Sequence, residues 1–402
     1  MSKYHDIETD AVFKDATGRR LGVRSSVAAA LLAAAVLPSA AIASDESDLA
    51  ASLRPVPSTA KMSEDGWYVW CGTMAKDDGG VYHLFYSRWR KSLGFGSWMT
   101  SSEVAHATGS SPFGPWTHKD VALPSRGLEY WDGPCTHNPT LHRFGGKWYM
   151  YYTATTGDGV PAGEGFNWLH RNNQRIGVAV ADSLDGPWTR FDKPLIDVSA
   201  DASAPDSLNV SNPAVALRPD GTYVMVYKAV GRKRPLPRGG PVVHLVATSK
   251  SPLGPFTKTM KPQFTDGDSF FPAEDPFIWR EGGRFRAIVK DFGGHFTRRK
   301  GRTLVLFESP DGIDWKLEDR PFVSGCTIEW ADGRKEKVKH LERPQLYFEN
   351  GRPVALLAAA GRKSRNGEFD SFNVQIPLDA SAARDTAAGS GVGPQDSGRP
   401  VR

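Results

Sequence analysis

Four short polar groups in the chain are each closed by a proline: His137-Asn138-Pro139, Ser211-Asn212-Pro213, Glu274-Asp275-Pro276 and Glu342-Arg343-Pro344. Glu274, Asp275 and Glu342 supply carboxyl groups, which can give and take protons or attack an electrophilic carbon. His137, Asn138 and Asn212 supply imidazole and amide groups, which suit a ligand rich in hydroxyls. Cations recur near the same groups or at strand ends: Arg88 in FYSRWRK, Lys228 in MVYKA, Lys290 in AIVKD, and Arg343 itself. Four inward cations are costly without anions. They must pair with carboxylates such as Glu274, Asp275, Asp291 and Glu342, or bind an anionic ligand. No His/Asp spacing demands a metal. Cys71, Cys135 and Cys326 match no zinc pattern. They read as buried thiols, or as one disulfide with a cysteine left over.

The elements that must carry these groups repeat along the chain. Each polar-proline group is followed by an apolar strand, a glycine turn and an aromatic strand, as in GGKWYMYYTA, DGTYVMVYKA and EGGRFRAIVKD. A second phrase alternates with the first: SSPFGPW, SLDGPW and SPLGPF, with SPDGIDW as a looser copy. Short apolar runs bounded by Gly, Asp, Asn and Pro are strands joined by tight turns. Four such strands per unit make one propeller blade, and a recurring unit of this size indicates an array. A less regular first copy begins at Trp67-Tyr68-Val69-Trp70. The expectation is an all-β, five-bladed β-propeller with blades starting near 67, 137, 211, 274 and 342. Residues before Trp67 should close the ring by adding a strand to the last blade. The polar groups then open the innermost strands and converge on one axial pocket.

The chain has 402 residues, 40% of them hydrophobic, and a net charge of +5. This composition excludes a polytopic membrane protein, a collagen-like chain and a wholly disordered one. Basic and acidic residues are interleaved, so nucleic acid is not an expected partner. Residues 1–43 read as an export signal: arginines, an apolar run, and Ala41-Ile42-Ala43 as a cleavage site. Gly18-Arg19-Arg20-Leu21 is compatible with twin-arginine export. The mature chain is therefore expected in the periplasm or outside the cell, as a monomer without a membrane span. Residues 44–61 read as a linker and closing strand, 62–378 as the propeller, and 379–402 as a disordered tail.

The repeats, the Gly-Pro-Trp turns and the Glu-Asp-Pro-Phe-Ile phrase together resemble the five-bladed glycoside hydrolases of the arabinanase and β-xylosidase superfamily (family 43), including relatives that cleave agar-type oligosaccharides. The likeness covers residues 62–378. It implies hydrolysis of glycosidic bonds by a pair of carboxyl groups, with inversion expected by analogy. It implies Glu274 as general acid, with a pKa raised by burial or by Asp275. The usual aspartates of the first and third blades are replaced by Trp70-Cys71-Gly72 and Asn212-Pro213. The base is therefore open among Asp65, Asp132 and Glu342. Trp70 and Trp131, with Trp67 and Trp279 nearby, are candidates to stack on sugar rings. The expected sugar contacts are Trp70, Arg88, Trp131, His137, Asn138, Asn212, Lys228, Asp275, Lys290 and Arg343. No cofactor is expected, although in some relatives an axial histidine holds a metal or acts as the acid, so His137 and His340 could do either and a central divalent ion fits the resemblance. The turn tryptophans Trp116, Trp188 and Trp315 read as packing between blades. Two alternatives stand: a glycoside phosphorylase of the mannoside-phosphorylase type, whose Glu-Asp-Pro-Arg phrase differs here at Phe277, and a propeller that binds carbohydrate without catalysis.

Overall fold

The computed structural model describes residues 47–267, 269–363 and 367–379. The expected export signal and the tail past Asp379 lie outside the described residues. Five antiparallel four-stranded sheets follow one another along the chain. Blade one is Trp67–Lys76, Tyr82–Arg90, Glu103–Gly109 and Thr117–Leu123. Blade two is Cys135–Phe144, Lys147–Thr155, Arg175–Ala181 and Thr189–Arg190. Blade three is Asn209–Leu217, Tyr223–Val230, Val242–Ser249 and Thr257–Gln263. Blade four is Ala273–Glu281, Arg284–Asp291, Thr303–Ser309 and Lys316–Gly325. Blade five takes three strands from the end of the propeller, His340–Glu349, Arg352–Lys363 and Phe369–Pro377. Its fourth strand is Lys61–Met62, which pairs Lys61 with Val374 and Met62 with Asn373. The ring therefore closes as the repeats predict.

The first strands of successive blades touch one another, and the last touches the first. They form the inner wall. Strand side chains alternate between two faces, so each sheet can bury both faces against its neighbours. Apolar clusters fill every interblade space. Phe85 and Val104 of blade one meet Met150 and Tyr152 of blade two, and Phe277 and Ile288 of blade four meet Leu341 and Leu356 of blade five. Trp116, Trp188 and Trp315 pack against such clusters, as their turn phrase predicts. Trp279 is also core, in the cluster between blades four and five.

The polar-proline phrase has a specific backbone form. Asn138, Asn212, Asp275 and Arg343 have φ of 54°, 53°, 58° and 55°. Each sits where the pairing of the inner strand with its neighbour slips. Such a bulge turns one side chain out of the sheet's alternation, here toward the axis. Left-handed backbone at non-glycine residues is uncommon and clusters at functional sites.

Candidate active site

The bulged residues meet in a hydrogen-bonded ring. The Cys71 thiol donates to Asn138 Oδ1 at 2.7 Å. Asn138 Nδ2 donates to Asn212 Oδ1 at 2.6 Å, and Asn212 Nδ2 donates to Asp275 Oδ1 at 2.8 Å. Arg343 reaches back to Asp275 Oδ1 and to the Asn138 carbonyl, each at 3.4 Å. One residue from each blade thus takes part. Cys71, Cys135 and Cys326 are free thiols. Burial pushes Cys71 up to about 11, so this thiol is a neutral donor within the ring.

On this ring opens a pocket of about 870 Å³, open solvent at its mouth included. Its floor is charged. Glu274 Oε1 accepts from Lys228 Nζ at 2.7 Å, and Oε2 accepts from Lys290 Nζ at 2.6 Å. Lys290 also bonds Glu342, whose other oxygen is bonded to His340 Nδ1. Asp275 Oδ2 lies 3.8 Å from the same ammonium. Oxygens of Glu274, Asp275 and Glu342 lie within 4.8 Å of one another. The expected pairing of Lys228, Lys290 and Arg343 with inward carboxylates is therefore found.

These contacts separate the three carboxyl groups. Burial favours the neutral form of each. At Glu274 the Lys228 and Lys290 charges outweigh burial and hold the carboxyl at about 2. At Asp275 burial and the neighbouring Glu274 charge win over Lys290 and Arg343, giving about 6. At Glu342, Lys290 and His340 overcome burial and hold the group well below its ordinary value. At Lys290 burial is outweighed by the carboxylates of Glu274 and Glu342, which hold the ammonium above its ordinary value. Burial lowers His340 despite Glu342. Its neutral ring gives Nδ1–H to Glu342 and leaves Nε2 without a partner among the described residues. Burial, with Arg343 and Lys228, drives His137 far down, and its Nδ1 lies 2.7 Å from Ser102 Oγ.

A central divalent ion does not fit this floor. The three carboxylates that would hold it already surround an ammonium, and Lys290 is 1% exposed. The lysine occupies the place of the cation.

The walls are aromatic: Trp70, Trp89, Phe95, Trp98, Phe166 and Phe292. Phe95 and Phe166 come from two glycine-rich loops packed backbone to backbone. A Cβ at Gly96 would lie 2.1 Å from the Gly165 carbonyl oxygen, and one at Gly94 would lie 2.4 Å from Gly163 C. Phe95 N–H donates to Glu164 Oε1 at 3.0 Å across this seam.

Of the residues singled out from the sequence, Trp70, His137, Asn138, Asn212, Lys228, Glu274, Asp275, Lys290, Glu342 and Arg343 line the pocket, as does His340. Six candidates do not, among them Trp279, which is core, and Trp67, which packs against Arg88. Asp65 is exposed in the turn before the first inner strand. Asp132 is fully buried away from the pocket, bonded to Arg126 and Tyr152 Oη and 3.5 Å from Arg190. Arg88 is held by Glu64 and Glu103 at 2.5 and 2.9 Å and stacks on Trp67. Trp131 stacks on Tyr152 and donates from Nε1 to the Phe191 carbonyl. The polar density of the segment before blade two thus marks a structural cluster. Glu164, Phe95, Trp98 and Phe166 were not singled out. Their signal is the paired Gly-x-Gly motifs Gly94-Phe95-Gly96 and Gly163-Glu164-Gly165.

No family model and no curated protein matches the chain. Solved structures do. A family 117 glycoside hydrolase of the marine bacterium Zobellia galactanivorans superposes with a TM-score of 0.54 at 15% identity, over 81% of this chain and 89% of that one. The endo-arabinase of Bacteroides thetaiotaomicron gives 0.51 at 12% identity, over 81% and 97%. A thermostable family-43 glycoside hydrolase gives 0.51 at 14% identity, over 81% and 92%. At these identities the likeness is one of fold, and it agrees with the five blades found here.

Proposed function

We propose that this protein is an exported, monomeric glycoside hydrolase that cleaves a sugar residue held in the axial pocket. The observation that carries the proposal is the cluster of Glu274, Asp275 and Glu342 within 4.8 Å on the floor of an aromatic-walled pocket. Environments that push neighbouring carboxyl groups apart assign acid and base roles. Asp275, at about 6, is the group suited to hold a proton near neutral pH. Its Oδ1 is taken by Asn212 and Arg343, which leaves Oδ2 to carry that proton. Glu274, at about 2, is the anion, and the resemblance had cast it as the acid. With 13% of its side chain open it is the most accessible of the three.

One oxygen of each carboxyl group lies within 4.8 Å of the others, short of the roughly 6.5–9.5 Å that leaves room for an attacking water. The spacing supports direct attack, and so retention, against the inversion expected by analogy. In this scheme a Glu274 oxygen bonds the anomeric carbon while the glycosidic bond breaks. The Asp275 proton passes to the leaving oxygen. Water, deprotonated by Asp275, then releases the sugar from Glu274. The Asn138 and Asn212 amides and the aromatic walls hold hydroxyls and ring faces.

One observation favours a second reading, a propeller that only binds carbohydrate: each of the three carboxylates is already tied to a lysine or arginine. The phosphorylase reading has less support, because Lys228, Lys290 and Arg343 are each engaged by a carboxylate. Reducing-sugar release from an oligosaccharide panel by wild type, Glu274→Gln and Asp275→Asn separates the two. Release lost by at least about 10³-fold in Glu274→Gln, with sugar affinity retained, supports hydrolysis. Sugar binding without release by the wild type supports the binding protein.

A further inference from the structure

Away from the pocket, the second and third strands of blade one bury two histidines side by side. His83 is 2% and His106 1% exposed, and His83 Nδ1 lies 2.8 Å from His106 Nε2. The outer nitrogen of each ring faces a carboxylate. His83 Nε2 is 3.3 Å from Asp77 Oδ2, and His106 Nδ1 is 3.1 Å from Asp120 Oδ1. An ionised carboxylate only accepts hydrogen bonds, so each outer nitrogen carries its ring's proton. The inner nitrogens of neutral rings then present lone pairs to each other at 2.8 Å. Two lone pairs at that distance repel unless a cation answers both.

A third ligand atom faces the same point from the next blade. Asp185, in the SLDGPW turn of blade two, has Oδ1 3.6 Å from His83 Nδ1. Lys119 Nζ lies 2.5 Å from that oxygen and holds the turn against blade one. The three candidate ligand atoms lie within 4.8 Å of one another. None of the three residues lines the axial pocket. A histidine whose far nitrogen is hydrogen-bonded to a carboxylate is the usual arrangement of a metal ligand, because that partner fixes the tautomer and raises basicity.

We propose that His83, His106 and Asp185 form a metal site of the zinc type, which staples the middle strands of blade one to the SLDGPW turn of blade two. Two imidazoles and one carboxylate suit zinc or another late first-row divalent ion. The half-exposed Asp185 side chain leaves a fourth position open to water. Around a tetrahedral zinc the two nitrogens would open to about 3.3 Å, given Zn–N bonds of about 2.0–2.1 Å.

The test is calorimetric titration of the metal-stripped full chain with zinc, repeated with cobalt while following its visible absorption, in wild type, Asp185→Ala, Asp120→Asn and His106→Gln. The expected result is one zinc per chain in wild type and a cobalt spectrum with imidazole ligation. Affinity should fall about 10–100-fold in Asp120→Asn, and at least as far in Asp185→Ala. His106→Gln should not bind, and zinc should raise the wild-type Tm but not that of Asp185→Ala. Asp185 is an exposed turn residue, so its variant keeps the test valid if His106→Gln fails to fold. The proposal is overturned if wild type binds no metal, which would leave a histidine pair sharing one proton. It is equally overturned if Asp185→Ala and Asp120→Asn bind as wild type does.

Discussion

Lys290 Nζ lies 2.6 Å from Glu274 Oε2 while it also bonds Glu342. One buried ammonium thus joins carboxylates from the inner strands of blades four and five. Removing one partner of a buried ion pair leaves the others uncompensated, at a cost of about 3–5 kcal/mol. Lys290→Met is expected to lose stability in that range, read from the urea midpoint. A loss below about 1 kcal/mol would mean that the ammonium does not hold the floor together.

The pocket carboxylates give stability opposite dependences on pH. Asp275 is raised from 3.8 to about 6 in the folded state. Its contribution is full below the unfolded value and is lost as pH rises through about 6. Glu274 is lowered from 4.5 to about 2, so its contribution is present above 4.5 and lost as pH falls toward 2. Urea midpoints followed from about pH 4 to pH 7 should fall less steeply in Asp275→Asn than in wild type. Equal slopes would contradict the raised value.

Asp132 is assigned to structure. Its carboxylate is fully buried between Arg126, Arg190 and Tyr152. Asp132→Asn should therefore lose about 3 kcal/mol of stability while sugar affinity per folded molecule stays within about twofold of wild type. Ligand titration beside denaturation checks this, and a selective loss of turnover would return Asp132 to the site.

The loop seam at Gly96 shapes the pocket wall. A Cβ there would sit 2.1 Å from the Gly165 carbonyl oxygen, so Gly96→Ala must part the two loops that carry Phe95 and Phe166. Misplacement of a positioning group by about 1 Å can cost about 10²-fold. Gly96→Ala is expected to weaken sugar binding at least tenfold, with about 1–3 kcal/mol lost from overpacking. Unchanged affinity would remove this wall from the site.

Much of the fold was legible because the propeller repeats its chemistry as well as its strands. The polar-proline groups mark the bulges of blades two to five, and the Gly-Pro-aromatic turns mark the outer edges. His137, Asn212, Glu274 and Glu342 were placed by that periodicity alone. Asp65, Asp132, Arg88 and Trp131 lie as near to the phrases in sequence, but their direction depends on loop and strand geometry that no period encodes. Glu164 and Phe166 lie on a loop, 156–167, between two strands of blade two, and only folding brings it against the loop of Phe95 and Trp98. The sign of each pKa shift was also hidden. Burial alone would raise Glu274, and only the distances to Lys228 and Lys290 reverse it.

Hydrolysis in the axial pocket can be followed by proton NMR of the purified protein with an oligosaccharide panel, run with and without phosphate. New free reducing sugar is expected whether or not phosphate is present, with the anomer formed first retaining the substrate's configuration. Line broadening of a sugar without any product, or sugar phosphate formed only when phosphate is added, would contradict hydrolysis.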